Sequence, residues 1–331
     1  MFTFKKERQD IMRKLLYIVL ISAFIMFVVA CGTSEENSES NNASGSNDEA
    51  TEEAFVTVEH ELDTTEVEKN PEKVVVLDFG SLDTLDQLGV QITGVPQQSV
   101  PSYLEEYESN EYENVGSLKE PDFEKIAEID PDLIIISGRQ AEIYDQLAEL
   151  APTIYLAVDT TNYMESFKEN TKIIGKIFDK EAEVEEELAA IEASIETLQE
   201  KAAEKEQNAL IILANDDKIS AYGPNSRFGI IHDVFGIPAV DENIEVSTHG
   251  MNVSFEYVTE HDPDLLYVID RGAAIGEESS AKQIVENKLM EKTKAYQNDQ
   301  IIYLEPDFWY LSGGGLISVA EMVKEIENSL N

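Results

Sequence analysis

One segment of this chain occurs twice, and that repetition limits what the chain can fold into. Pro121–Arg139 reads PDFEKIAEIDPDLIIISGR, and Val253–Arg271 reads VSFEYVTEHDPDLLYVIDR. Aligned without a gap, Phe123 lies over Phe255, Glu124 over Glu256, Asp130–Leu133 over Asp262–Leu265 and Arg139 over Arg271, all at an offset of 132 positions. A looser echo, Gly80–Gly89 against Arg227–Gly236, precedes each copy. Solenoid repeats recur every 20–50 residues or so, so a single recurrence at this interval points to two similar lobes.

Each copy reads as a short helix followed by a buried strand. Asp122 and Ser254 are N-cap residue types. Pro131 and Pro263 end the helices, since proline cannot continue them and pushes the preceding residue away from helical angles. Leu133–Ile136 and Leu265–Ile269 are continuous apolar runs, as expected of strands covered on both faces. Arg139 and Arg271 come just past those strands, at the sheet edge where α/β proteins bind ligands.

Around the repeat, strands and helices alternate, which implies parallel sheets. The first lobe reads as strand Glu72–Phe79, helix Ser81–Gly89, strand Ile92–Val95, helix Glu142–Glu149 and strand Thr153–Ala157. The second reads as strands Ala209–Ala214 and Lys218–Tyr222, a helix after Arg227, helix Ala281–Leu289, strand Ile301–Leu304 and helix Ile317–Leu330. Between them, Tyr163–Phe178 carries one apolar stripe and is the candidate connector. Lys180–Glu206 is amphipathic and heavily acidic, and Ala182–Glu206 reads as a solvated surface helix.

The N-terminus reads as export machinery. Lys5, Lys6, Arg8, Arg13 and Lys14 precede an apolar run, Leu15–Ala30, that stops at Cys31, the pattern of a cleaved signal. Val28–Cys31 resembles a bacterial lipobox, which makes Cys31 the lipidated first mature residue. Cys31 is the only cysteine, so no intrachain disulfide or thiolate chemistry is available. Residues 32–54 have the composition of a flexible acidic tether.

The formal charge is −43. Removing the leader, whose basic excess is three, leaves about −46. Nucleic acid as a partner is excluded, because binding it requires basic surface.

Against that acidity the arginines stand out. After the leader there are three, Arg139, Arg227 and Arg271, in a chain that holds nineteen lysines. Two are related by the repeat, and all three follow strands read as reaching the ligand edge. A guanidinium fork suits anionic oxygens and aromatic planes; the plainer alternative is three ordinary salt bridges. Of the four histidines, His249 alone lies in a loop without helical or strand pattern, Ser247–Gly250, where packing does not explain it; alone it reads as a surface histidine. Trp309 and Tyr310 lie in Phe308–Gly315, where glycines permit close approach to a ligand, and core packing is the alternative for Trp309. Glu124 and Glu256 fall in first helical turns, where a carboxylate complements the dipole. No nucleophile constellation, carboxylate pair or clustered metal ligands stand out.

Taken together, the lipobox, the acidic tether, EKVVVLDFGSLDTLDQLG, GPNSRFGIIHDVFG, STHG, DPDLLYVIDRG and WYLSGGG resemble the siderophore-binding lipoproteins of Gram-positive ABC importers, over nearly all of Phe55–Leu330. The resemblance implies an α/β fold of two doubly wound lobes joined by a single long helix, with a ligand cleft between the lobes. The expected organisation is a signal peptide over 1–30, a tether over 31–54, lobes over 55–160 and 181–331, and the connector over 161–180. It implies a ferric catecholate siderophore as cargo, petrobactin foremost, with no intrinsic cofactor and no catalysis. Arg139, Arg227 and Arg271 are then expected to contact the catecholates, His249 and Tyr310 to be available to iron, and Trp309 to line the site. Glu124 and Glu256 match acidic knobs that dock on the permease, and the protein is expected to be a monomer tethered by Cys31 at the outer face of the membrane. Another cargo on the same fold (cobalamin, haem or a hydroxamate siderophore) is the alternative, and an extracytoplasmic enzyme a more distant one.

Overall fold

Beginning at Phe55, β1 (Phe55–His60) turns back on β2 (Asp63–Glu68) as an antiparallel hairpin. Only Val58 and Val67 of this hairpin are buried. Its Thr65 hydroxyl donates to the carbonyl of Thr153 at 2.9 Å, and Lys69 just beyond it pairs with Asp179 at 2.7 Å. These coordinates are a computed structural model that describes residues 54–277 and 281–331. The leader, Cys31 and the tether up to residue 53 lie outside the described residues. Among the described residues, no helix is long and apolar enough to cross a membrane.

The first sheet starts with β3 (Val74–Val76), followed by α1 (Phe79–Gln87), β4 (Gly94–Val95), β5 (Glu113–Asn114), α2 (Phe123–Ile129), β6 (Leu133–Ile136) and β7 (Thr153–Tyr155). Its strands run in the order β5-β4-β3-β6-β7 and pair in parallel throughout. The strand expected over Glu72–Phe79 is shorter because Asp78 leaves the sheet to cap α1, accepting from the Ser81 N–H at 2.8 Å.

The chain then passes through α3 (Tyr163–Ile177) and, after a break at Asp179 (φ 50°), α4 (Glu181–Lys205). The amphipathic reading holds: Val184, Leu188, Ile191, Ile195, Leu198 and Ala202 form a buried stripe on one face. Glutamates crowd the opposite, solvated face, as a surface helix with one apolar stripe requires.

The second sheet comprises β8 (Ala209–Asn215), β9 (Lys218–Tyr222) and β10 (Met251–Val253), then, after α5 (Phe255–His261), β11 (Leu265–Asp270) and β12 (Ile301–Leu304). Its order is β10-β9-β8-β11-β12, with β8, β11 and β12 parallel and β9 and β10 antiparallel to their neighbours. Helix α6 (Leu316–Ser329) closes the chain.

The repeated segments form corresponding elements. Helix α2 is capped by Asp122, which accepts from the Lys125 N–H at 3.0 Å, whereas Ser254 before α5 makes no side-chain cap. Both helices end on an aspartate in left-handed conformation, Asp130 (φ 53°) and Asp262 (φ 44°), directly before the prolines.

One buried core runs from Val74 and Leu82 through Phe167 and Ile191 to Tyr267 and Val323. Two smaller clusters cover other faces of the sheets. Helix α6 buries Leu316, Val319, Met322, Val323 and Ile326 against α1 and α4. Each such side chain stabilises the fold by about 1.5–3 kcal/mol through burial, so α6 holds the two halves together.

Candidate functional site

Strand ends of the first sheet supply one wall of a cavity of about 660 Å³. Asp78 follows β3, Ser137–Arg139 follow β6, and Ala157–Thr160 follow β7. The facing wall comes from Ser226 and Arg227 after β9, from Val246–Thr248, and from Trp309–Gly313 after β12. That volume suits a small-molecule ligand.

The segment after β12 shapes the floor. Asp307–Ser312 winds as a single wide turn with a π-helical pattern, a form that recurs at functional sites. Gly314, at φ 128°, crosses Val158 so closely that a Cβ would sit 2.7 Å from its Cγ2. The wide turn points the Tyr310 carbonyl at two guanidiniums. Arg139 Nη2 donates to it at 3.0 Å and Arg227 Nη2 at 2.6 Å. The Arg227 guanidinium also lies 4.3 Å from the centre of the Tyr310 ring.

Arg271 opens the short helix after β11 and donates to Asn215 Oδ1 at 3.0 Å, at the end of β8. Its charge reaches Tyr310 as well. Burial pushes the Tyr310 phenol up, but Arg227 and Arg271 outweigh that and bring it below its ordinary value. Among the described residues, no carboxylate forms an ion pair with Arg139, Arg227 or Arg271. The salt-bridge alternative therefore has no support. Burial and then the nearby Arg139 charge lower the Arg227 pKa, while Tyr310 and Tyr222 pull it the other way.

The expected edge geometry needs one correction. Strand β9 runs antiparallel, with Tyr222 opposite Ile211, so its carboxyl end lies beside the amino-terminal half of β8. Arg227 therefore does not share the strand edge of Arg271, and it reaches Tyr310 by way of the loop that follows β9.

Trp309 is 3% exposed; it lines the cavity and donates from Nε1 to Glu325 Oε2 at 2.8 Å, so it belongs to both core and wall. His249 is exposed and is not among the lining residues, although its neighbours Ser247 and Thr248 are. Glu124 and Glu256 are exposed in the first turns of α2 and α5. Among the described residues, no group of three or more His, Cys, Asp or Glu side chains could hold a metal ion.

Sequence reasoning missed Tyr163 and Asp78. Tyr163 heads α3, lines the cavity, and has a buried hydroxyl with no hydrogen-bond partner; its place at the start of the connector was the available signal. Asp78 is buried, which raises its carboxyl pKa against the opposing pull of Arg139.

Two α/β sheets that share a core and contribute opposite walls to one cavity define a bilobal ligand-binding protein. Residues 74–308 match the family described as Periplasmic binding protein, and the chain belongs to that family. Over 320 residues it is 52% identical to the petrobactin-binding protein YclQ of Bacillus subtilis (strain 168), covering 96% of this chain and 98% of the relative. The crystal structure of YclQ matches with a TM-score of 0.82 at 56% identity, over 84% of this chain and 99% of that one. The periplasmic catecholate-siderophore binding protein VctP of Vibrio cholerae matches with a TM-score of 0.79 at 34% identity, over 83% and 99%.

Proposed function

We propose that this chain is the substrate-binding component of an ABC iron importer, capturing a ferric catecholate siderophore, petrobactin foremost, outside the cytoplasm. The observation that carries the reading is the convergence of Arg139, Arg227 and Arg271 on Tyr310 with no carboxylate in ion-pair contact among the described residues, in a chain of formal charge −43. A ferric tris-catecholate carries about three negative charges, which three permanently charged guanidiniums balance in a partly dry cleft. The names of the similar proteins support the same cargo class: YclQ as a petrobactin binder and VctP as a catecholate-siderophore binder.

Iron is cargo here and arrives in its own chelator, so the protein needs no cofactor and turns nothing over. Where the siderophore leaves coordination positions open, the Tyr310 phenolate is the cavity-lining donor a hard ferric ion accepts; the His249 imidazole is a donor of the same kind, next to the lining residues Ser247 and Thr248 but outside the lining itself. Cys31 carries the lipid that holds the protein at the membrane, and Glu124 and Glu256 present one carboxylate from each lobe to the permease.

Trp309 is the sole tryptophan and lines the cavity, so its fluorescence reports binding. Titration with ferric petrobactin is expected to saturate at a dissociation constant at least about a hundredfold below that for ferrioxamine, haem or cobalamin, a margin of about 2.8 kcal/mol. Equal or tighter binding of any of those three overturns the catecholate assignment.

A further inference from the structure

The N-terminus of the last helix is capped by the first. Asp83, on α1, is fully buried. Its Oδ1 accepts from the Ile317 N–H at 2.7 Å and its Oδ2 from the Ser318 N–H at 2.7 Å. The adjacent Thr84 Oγ1 accepts from the Leu316 N–H at 3.3 Å. Three successive free N–H groups of α6 are thus satisfied from a helix more than 230 positions earlier, because Gly315 at the N-cap position has no side chain for the task. Tyr103 extends the clamp: its hydroxyl donates to Asp83 Oδ2 at 2.9 Å and lies 2.6 Å from Ser312 Oγ. The backbones meet so closely that a Cβ on Gly80 would fall 2.6 Å from the Ser312 carbonyl, and one on Gly315 would collide with the Asp83 carboxyl.

Ser312 ends the wide turn that holds Tyr310. We infer that Asp83 is a positioning residue for ligand recognition: by clamping the start of α6 and, through Tyr103, Ser312, it fixes the turn whose Tyr310 carbonyl gathers Arg139 and Arg227. The inference rests on the siderophore-binding reading for its ligand but not for its geometry. The competing possibility is that the cap contributes to stability alone.

The test compares Asp83→Ala and Asp83→Asn with Val285→Ala, a cavity variant in a buried cluster of the second sheet that lines no part of the site. Affinity for ferric petrobactin, read by Trp309 fluorescence, is expected to fall about tenfold or more in Asp83→Ala, the scale seen when a supporting shell is loosened. Asp83→Asn keeps an acceptor for Ile317 but turns an amide N–H toward that of Ser318, and is expected to lose less. Val285→Ala is expected to bind as the unaltered protein does. Acrylamide quenching of Trp309 needs no ligand and is expected to rise in Asp83→Ala and stay unchanged in Val285→Ala. If Asp83→Ala does not fold, Asp83→Asn carries both measurements, with a smaller fall in affinity and a smaller rise in quenching expected. Affinity or quenching unchanged in the folded Asp83 variant, or an equal change in Val285→Ala, overturns the inference. Should the quenching difference appear while the unaltered protein fails to bind ferric petrobactin, the positioning role stands and the cargo assignment falls.

Discussion

Arg227 meets Tyr310 twice, through an Nη2–carbonyl hydrogen bond of 2.6 Å and through its guanidinium stacked 4.3 Å from the ring centre. The pair joins the loop after β9 to the turn after β12, with Arg139 of the other sheet bound to the same carbonyl at 3.0 Å. The positive charge is therefore preorganised before any anion arrives.

Replacing Arg227 or Arg271 by alanine is expected to weaken ferric catecholate binding by about ten- to a hundredfold, since a charge-assisted hydrogen bond contributes about 1.5–3 kcal/mol. Arg227→Lys is expected to rescue little, because an ammonium lacks the planar fork that stacks on Tyr310. Fluorescence titration checks both, and unchanged affinity in either alanine variant would refute the anion-site assignment.

Glu124 and Glu256 are exposed on helices that the internal repeat makes equivalent. Neither lines the cavity. The double change to alanine is expected to leave siderophore affinity within about twofold, because exposed charges this remote are screened, and to abolish iron uptake by cells. Normal uptake by cells carrying that variant removes the docking role.

How much of this could be read in the sequence depended on the range of the interactions involved. The repeated helix–strand units were legible because cap, proline and apolar run lie within twenty residues of each other: Asp122, Pro131 and Leu133–Ile136 in the first copy. The β1–β2 hairpin was not, because it buries only Val58 and Val67 and its outward residues mimic the acidic tether. The direction of β9 was also hidden, since the short run Lys218–Tyr222 reads the same in either orientation. For the site, the rarity of arginine picked out three residues whose gathering at Tyr310 local pattern alone could not give. Tyr163 offered only its place at the head of the connector, and Asp83 carried no signal, because its meaning comes from contacts with residues more than 200 positions away.

Asp83 also predicts a pH dependence. Burial raises its pKa from the ordinary value of 3.8 to about 6, against the hydrogen bonds from Ser318 and Ile317 that pull it down. The two phenols coupled to it, Tyr103 and Tyr163, are pushed up by burial and stay neutral across this range. A folded-state pKa above the unfolded one means that the native state binds the extra proton. This group's contribution is thus fully present below pH 3.8 and is lost as pH rises through 6. Relative to Asp83→Asn, the unaltered protein is expected to gain stability as pH falls from about 7 to 4, by on the order of 3 kcal/mol at most. Urea unfolding of both proteins across that range measures it; a constant difference would show that Asp83 titrates normally.

Tyr310→Phe separates charge gathering from iron coordination. The substitution keeps the backbone carbonyl that binds Arg139 and Arg227 and keeps a ring for Arg227 to cover. It removes only the hydroxyl, whose pKa Arg227 and Arg271 hold below its ordinary value despite burial. A chelate that fills all six iron positions with its own oxygens gains nothing from that hydroxyl, so its affinity is expected to change by less than about threefold. A ferric bis-catecholate with only four donor oxygens gains a fifth from the phenolate, and its affinity is expected to fall about tenfold or more. The visible charge-transfer band of the bound bis-catecholate complex should shift in the variant as the phenolate donor is lost. Equal affinities and an unshifted band for the four-oxygen chelate would mean that Tyr310 lines the wall without touching iron. The anion site of Arg139, Arg227 and Arg271 would stand unaltered by that result.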